Sequence, residues 1–185
     1  MRDTLVAMYL AGEHVALRAR QAEDVAQLHA ELYEDLVTRS RGDTRPWRPI
    51  PDDLSLSPYA VDRASDDAAF FSIVTTGDGE LVGETLLYGI DVHNRLASVG
   101  LAMLPAFRGR GWSVEVLRLV CRYGFVVRGL HRLQLETLSD NEPMLRAAER
   151  AGFRREGELR QSAWVLGAFA DAVVMGLLAP EWRDV

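Results

Sequence analysis

Residues 105–117 read PAFRGRGWSVEVL, with two glycines and two arginines in the four positions 108–111 and apolar positions at helical spacing directly after them. Where a chain turns into a helix, the first backbone N–H groups have no intrahelical partner and lie at the positive end of the helix dipole. Such a terminus binds phosphate, and glycine lets the anion approach the backbone. Arg108 and Arg110 would add charge-assisted bonds suited to a pyrophosphate. The same four residues also read as a tight turn with two solvated arginines. Gly109-x-Gly111 followed by Val114 is in addition an incomplete dinucleotide fingerprint, with Glu136 where a ribose-binding acid would be sought. Its third small residue is missing, and the chain lacks the repeated strand–helix alternation of a doubly wound fold.

Elsewhere the chemistry is sparse. The four histidines, His14, His29, His93 and His131, are scattered, and Cys121 is the only cysteine, so neither a familiar zinc site nor an intramolecular disulfide is expected. All 21 basic residues are arginine, which leaves no lysine for a Schiff base. A net charge of −6 and a pI near 5.2 argue against a nucleic-acid partner. Among the carboxylates Glu84 is the best base: counted by twos it shares a strand face with Val82, Leu86, Tyr88 and Ile90, whose apolar surroundings would raise its pKa. The competing reading is a strand-end carboxylate paired with an arginine. Glu136, Ser139 and Asp171 are weaker candidates.

These residues need elements to position them. HVALRAR (14–20) alternates like a first strand, and QAEDVAQLHAELYEDL (21–36) places Val25, Leu28 and Leu32 at helical spacing. Residues 38–58 hold most of the prolines and are expected to be irregular, running into a short helix at 58–66. Strands at 68–76, 80–92 and 95–104 form a meander, with the turn GDG at 77–79. A long helix over 113–127 and a strand over 131–138 follow. Asn141 is placed as the N-cap of the next helix, with proline in its first turn and Gly152 as its stop. Strands at 153–166 and 170–179, turning near Gly167, close the chain. The class is mixed α/β, and 185 residues with 48% hydrophobic content suit one domain, residues 1–185. No apolar run spans a membrane, and MRDTLVAMYLAGEH is broken by Gly12 and Glu13 without a cleavage site, so a cytoplasmic location is expected.

In this order the motifs resemble the GNAT superfamily of acyl-CoA-dependent N-acyltransferases, especially its Rim-type (RimJ/RimL-like) ribosomal-protein members. Arg108-Gly109-Arg110-Gly111-Trp112-Ser113 is similar to the superfamily's acyl-CoA loop, with serine in the last, small position. LVGETLLYGID, ASVGLAML, LHRLQLETLSDN, AERAGFRREGELR and DAVVMGLLAPEW follow in Rim-type order. The resemblance implies a central, mostly antiparallel, splayed sheet flanked by helices, and transfer of acetyl from acetyl-CoA to a primary amine. It implies pantetheine along the strand near Leu101 and Met103, the Met103 N–H as oxyanion donor, pyrophosphate on residues 108–113, and Asn141 near the pantetheine arm. Where Rim-type members carry a proton-donating serine, this chain has Met144, so a CoA-binding protein without catalysis stays open as an alternative, as does, more remotely, a nicotinamide-dinucleotide binder.

For the acceptor, Trp47 and Arg48 are candidate lining residues, with Trp47 as a loop anchor the competing reading. Residues 1–107 contain 9 arginines and 17 acids, whereas residues 108–160 contain 11 arginines and 7 acids. The acids Asp43, Asp52, Asp53, Asp62, Asp66 and Asp67 cluster in the proline-rich stretch and its flank. A cleft so divided would draw anionic CoA to one side and a cationic amine, a protein N-terminus or a small molecule, to the other. No membrane partner and no metal are expected, and the chain is read as a monomer or homodimer.

Overall fold

The computed structural model describes residues 10–43, 45–51, 53–61 and 65–183. Most of the N-terminal stretch, and Asp52 and Asp62 of the acidic cluster, lie outside these residues.

Strand β1 (Val15–Ala19) buries Val15 and Leu17 and turns Ala16 and Arg18 to the other face. Helix α1 (Ala22–Leu28) starts with Asp24 reaching back to the Gln21 amide at 2.8 Å. Val25, Leu28 and Leu32 are buried as their spacing predicts, yet the α-helix ends at Leu28 and continues as a π-helical turn, His29–Tyr33. Asp35 then accepts from the amides of Val37 and Thr38 and caps a separate helix, α2 (Leu36–Gly42). α2 thus occupies part of the stretch expected to be irregular, because an acidic cap restarts a helix wherever its side chain satisfies the free amides. The helix expected at 58–66 does not form in its described part. Asp53 instead caps a single 3-10 turn, Leu54–Leu56, by accepting from Ser55.

The meander is β2 (Ala68–Thr75), β3 (Leu81–Asp91) and β4 (Leu96–Met103). A 3-10 turn (Pro105–Phe107) leads to α3 (Trp112–Arg122), which passes into a π-helical turn (Tyr123–Val127) instead of remaining α-helical to Val127. Then come β5 (Arg132–Leu138), α4 (Glu142–Ala151), β6 (Arg154–Val165) and β7 (Ala168–Leu178). The β6–β7 turn holds Leu166 and Gly167 at φ 45° and 95°, the left-handed pair that a tight hairpin requires.

All seven strands form one sheet in the order β1-β2-β3-β4-β5-β7-β6, antiparallel throughout except for β4 and β5. The expected mixed, mostly antiparallel architecture is therefore present. α3 packs on α4 and on β1, β3 and β4, burying Val116, Leu117, Val120 and Cys121 completely. Each such aliphatic side chain contributes about 1.5–3 kcal/mol from burial. No helix among the described residues is long and apolar enough to cross a membrane.

One departure from regular pairing creates the site. β4 and β5 pair only over Leu96–Ser98 and Arg132–Gln134, so beyond these residues the two strands part. Both strands continue past the last pair, to Met103 and Leu138, and the sheet is split at their C-terminal ends.

Candidate active site

The split exposes a strand edge with free donors. Leu104 N–H donates to Val82 O at 2.9 Å, which makes Gly83 and Met103, Cα partners in the ladder, a non-hydrogen-bonded pair. By the alternation of an antiparallel ladder, Leu101 opposite Thr85 is one as well. The N–H groups of Leu101 and Met103 therefore turn away from β3 toward the gap that β5 leaves.

From the end of β4 the chain enters the glycine loop. Gly109 and Gly111 have φ of 78° and 81°, a backbone region that glycine alone enters without cost, and a Cβ built on either would meet no protein atom within 4 Å. The space above both glycines is open. Gly111 occupies the N-cap position of α3, and no side chain caps that helix, so its first-turn N–H groups remain available to an anion. Both arginines have protein partners. Arg108 donates from Nε to Met103 O (3.1 Å) and from Nη2 to Thr38 Oγ1 (3.4 Å). Arg110 lies over the rings of Phe107 and Trp112, at 4.8 and 5.0 Å from their centroids, with Nη2 on Ala106 O. Ser113, on the first turn of α3, is half-buried. Glu115 ties that turn to the start of β1 by accepting from the amides of His14 and Val15.

Asn141 stands at the other wall, where β5 gives way to α4. It is the N-cap residue by position, but its side chain does not cap; Nδ2 donates to Thr137 Oγ1 at 2.9 Å. Asn141 therefore holds the expected N-cap position without a side-chain cap, and its amide is turned to the threonine four residues back on β5. Met144 packs against the core and offers no proton. Helix α2 touches both walls: Thr38 meets Arg108, and Arg41 pairs with Asp140 at 2.7 Å.

Glu84 lies on β3 directly opposite Ala102, the residue between Leu101 and Met103. Its side chain is only 12% exposed, yet its surroundings are charged, contrary to the apolar face expected. Tyr88 on the same face is exposed, and a bulge after it, with Gly89 at φ 59°, turns Ile90 to the buried side. Glu84 instead meets Arg20, which follows β1 and donates from Nη2 to Glu84 Oε2. Burial raises the Glu84 pKa above its ordinary value, while Arg20 and the more distant Arg39 oppose that rise. The paired-carboxylate reading and the raised-pKa reading thus hold together.

Three residues that the sequence did not single out complete this cluster. Arg20 and Arg39 are buried, each with an Nε that lacks a partner, and Tyr59 is buried over Arg20. Arg39 pairs with Asp43 at 2.8 Å, and Arg45 joins Asp43 from outside. The one sequence signal was weak: Arg18 and Arg20 share a strand face, but such alternation usually marks a solvated side.

Trp47 and Arg48 are held by Tyr33, whose hydroxyl donates to Arg48 O at 2.8 Å and whose ring lies 6.3 Å from Trp47. Trp47 packs on the core as a loop anchor, and the Arg48 side chain is exposed. Glu136 is exposed, and Ser139 and Asp171 are joined through a backbone bond of 2.9 Å. A cavity of about 310 Å³ opens between Ser55–Val61 and Phe70, and a wider one of about 760 Å³ lies against Glu158–Ser162 and Asp171. Neither is lined by the 108–113 loop. No group of three or more His, Cys, Asp or Glu side chains among the described residues is placed to hold a metal ion.

A family model described as "Acetyltransferase (GNAT) domain" matches residues 14–154. Among curated proteins, the SPbeta prophage-derived uncharacterized N-acetyltransferase YokL of Bacillus subtilis is 26% identical over 182 residues, covering 95% of this chain and 96% of that protein. Spermidine N(1)-acetyltransferase of Escherichia coli is 27% identical over 163 residues, covering 87% and 84%. A solved spermidine N-acetyltransferase from Vibrio cholerae, in complex with CoA and spermine, superposes with a TM-score of 0.80 at 21% identity, covering 90% of this chain and 96% of that one.

Proposed function

Because the chain belongs to the GNAT acetyltransferase family, and so moves acetyl from acetyl-CoA to an amine, we propose that Glu84 is the base for that amine and that residues 101–113 hold the cosubstrate. The observation that carries this reading is the register of β3 on β4. It sets Glu84 opposite Ala102, between the two outward-turned amides of Leu101 and Met103, at the mouth of the split.

The residues fit the ligand. The uncapped start of α3 and the open space over Gly109 and Gly111 suit a pyrophosphate, with Trp112 and Ser113 supplying first-turn amides. The bare edge at Leu101 and Met103 suits the amide groups of a pantetheine arm, and Asn141 stands where β5, on the opposite side of the split, gives way to α4. Acetyl-CoA supplies the activated thioester. Glu84 takes a proton from the attacking nitrogen, and a carboxylate whose pKa is raised by burial is a better base than one in water. The Met103 N–H donates to the oxygen on which charge develops. With Met144 where an acid would stand, no side chain protonates the sulfur, and a thiol with pKa near 8.5 leaves as thiolate.

For the acceptor we favour a cationic amine. The spermidine-acetylating relative supports this, as does a buried carboxylate at the mouth, with Trp47 and Arg48 shaping the approach from outside. The Rim-type order of motifs makes a protein N-terminus the second class. Residues 1–185 are read as one acetyltransferase domain. Free-thiol release from acetyl-CoA, measured with spermidine, with a peptide carrying a free N-terminus and with a simple monoamine, tests the choice. We expect spermidine to exceed the monoamine at least about tenfold in kcat/KM, a difference of about 1.4 kcal/mol. Equal values would remove the cationic acceptor, and a peptide preference would move the chain to the Rim-type class.

A further inference from the structure

Glu84 does not stand alone, and the way it is held has a purpose beyond charge balance. Arg20 is 4% exposed and sits at the junction of β1 and α1. Its guanidinium lies between two rings, 5.6 Å from the centroid of Tyr59 and 5.7 Å from that of Phe70. Nη1 reaches Tyr59 O at 3.4 Å, and Nη2 donates to Glu84 Oε2. Two rings and two hydrogen bonds fix the plane of the guanidinium, so the carboxylate it grips is fixed too. Only one carboxylate oxygen is gripped; Oε1 takes no hydrogen bond from the described residues.

We propose that Arg20 is a positioning residue for the acetyl transfer: it clamps Oε2 of Glu84 and leaves Oε1 to meet the amine. This rests on the reading of Glu84 as the base. An arginine suits the task where a lysine would not, because it keeps its charge at every working pH and its planar fork is locked by stacking. Burial raises the pKa of the Glu84 carboxyl, and a cation at hydrogen-bond distance opposes that rise and favours the ionised form. The other groups facing Glu84 are accounted for. From α2 and its end come Arg39 and Asp43, which pair with each other; Tyr59 comes from the turn after the 3-10 segment, and Arg45 lies outside on Asp43. Its ladder neighbours, Ser72 on β2 and Ala102 on β4, do not titrate near neutrality. Phe70, the second ring of the clamp, also lines the 310 Å³ cavity, so the clamp forms part of the wall of a space large enough for a small ligand.

The experiment is a pH–rate series with saturating acetyl-CoA and spermidine for wild type, Arg20→Lys, Arg20→Gln, Glu84→Gln and the double variant Arg20→Gln/Glu84→Gln. The acid limb of kcat reports ionised Glu84. Removing the cation raises the carboxyl's pKa, so in Arg20→Gln the limb moves to higher pH by about one unit or more. Arg20→Lys recovers part of that shift. The double variant is no slower than Glu84→Gln alone, since a clamp without its carboxylate has nothing to position. An unmoved limb in Arg20→Gln, or rate losses that multiply in the double variant, overturns the proposal. A wild-type limb in Glu84→Gln overturns the base assignment instead, and so separates the two failures. If Arg20→Gln does not fold, carbon NMR of the Glu84 carboxyl in Arg20→Lys decides: a titration midpoint above the wild-type value supports the clamp, and an unchanged one removes it.

Discussion

The 108–113 loop leads into a helix start that no side chain caps, whereas the cluster around Glu84 turns nearly all of its charge inward. In the loop, two glycines at positive φ hold the chain open in front of an uncapped helix, and no side chain fills the space above them. In the cluster, Arg20 faces Glu84, Arg39 and Arg45 face Asp43, and the rings of Tyr59 and Phe70 cover Arg20. An open array of dipoles binds an anion at little reorganisation cost. A closed set of ion pairs does something else: it fixes the charge state and direction of one group, and it hides that charge from a distance.

Breaking the closed side should have the largest effect. Glu84→Gln keeps the shape and an oxygen for Arg20 but removes the proposed base, and kcat is expected to fall by roughly 10²–10⁴. The deficit is greatest at low pH and narrows as pH rises, because hydroxide and the free amine replace the missing carboxylate. A Gln variant with the wild-type profile would put the base elsewhere. Breaking the open side costs somewhat less. Gly111 has φ 81°, so Gly111→Val forces a β-branched residue into a left-handed conformation and places methyl groups over the phosphate position. CoA affinity should drop by about 100-fold in calorimetry. Stability should also fall, by about 1–2 kcal/mol, because the left-handed backbone opposes any Cβ. Unchanged CoA affinity would remove the loop from the binding site.

The difference between the two regions also explains what the sequence reveals. The loop is contiguous, so PAFRGRGW shows its glycines, its charge and the helix behind it in one glance. Strand periodicity likewise gave β1 through β7 to within two residues at each end. Glu84 could be chosen by its strand face, but not its neighbours. Arg20, Arg39, Asp43 and Tyr59 lie 25 to 64 positions before it, and no pattern in a single chain predicts that Arg20 and Arg39 will both be buried. The same holds for the acids. Asp35 and Asp53 look like surface charge in composition but are used as helix caps, and Asp43 is neutralised by arginines on both sides.

Asp24 offers a third, smaller test of how closed networks behave. Burial opposes its ionisation, yet Arg18, the Gln21 amide and the Ser72 hydroxyl together hold its carboxyl below the ordinary range. Asp24→Asn should lower stability by about 1.5–3 kcal/mol at neutral pH, as expected for hydrogen bonds to a charged group. A lowered folded-state pKa stabilises above the unfolded carboxyl value and is lost as pH falls through the folded one. The gap between variant and wild type in urea melts should therefore be full at pH 7 and close only in strong acid, below pH about 4. A gap independent of pH would assign the loss to packing.

The smallest expected effect is the salt dependence of the acceptor. Composition alone places an excess of acids on residues 1–107 and of arginines on 108–160, which favours steering of a cationic amine over distance. The structure weakens that argument at Asp43 and Asp53, whose charges are met locally by arginines and by a helix start. Glu84 is partnered as well, and its field is short-ranged. Recognition of the amine should then occur at contact, where screening matters little, since salt shields exposed charges beyond a Debye length of about 10 Å at 0.1 M but acts weakly on buried ones. We expect kcat/KM for spermidine to fall less than about threefold between 0.05 and 0.5 M NaCl. The KM for acetyl-CoA should rise more steeply over the same range, because at the proposed loop its phosphates would meet exposed amides and arginines. A fall of tenfold or more for the amine, with a flat response for acetyl-CoA, would reverse the assignment of open and closed sides and return the exposed acids Asp66 and Asp67 to the acceptor path.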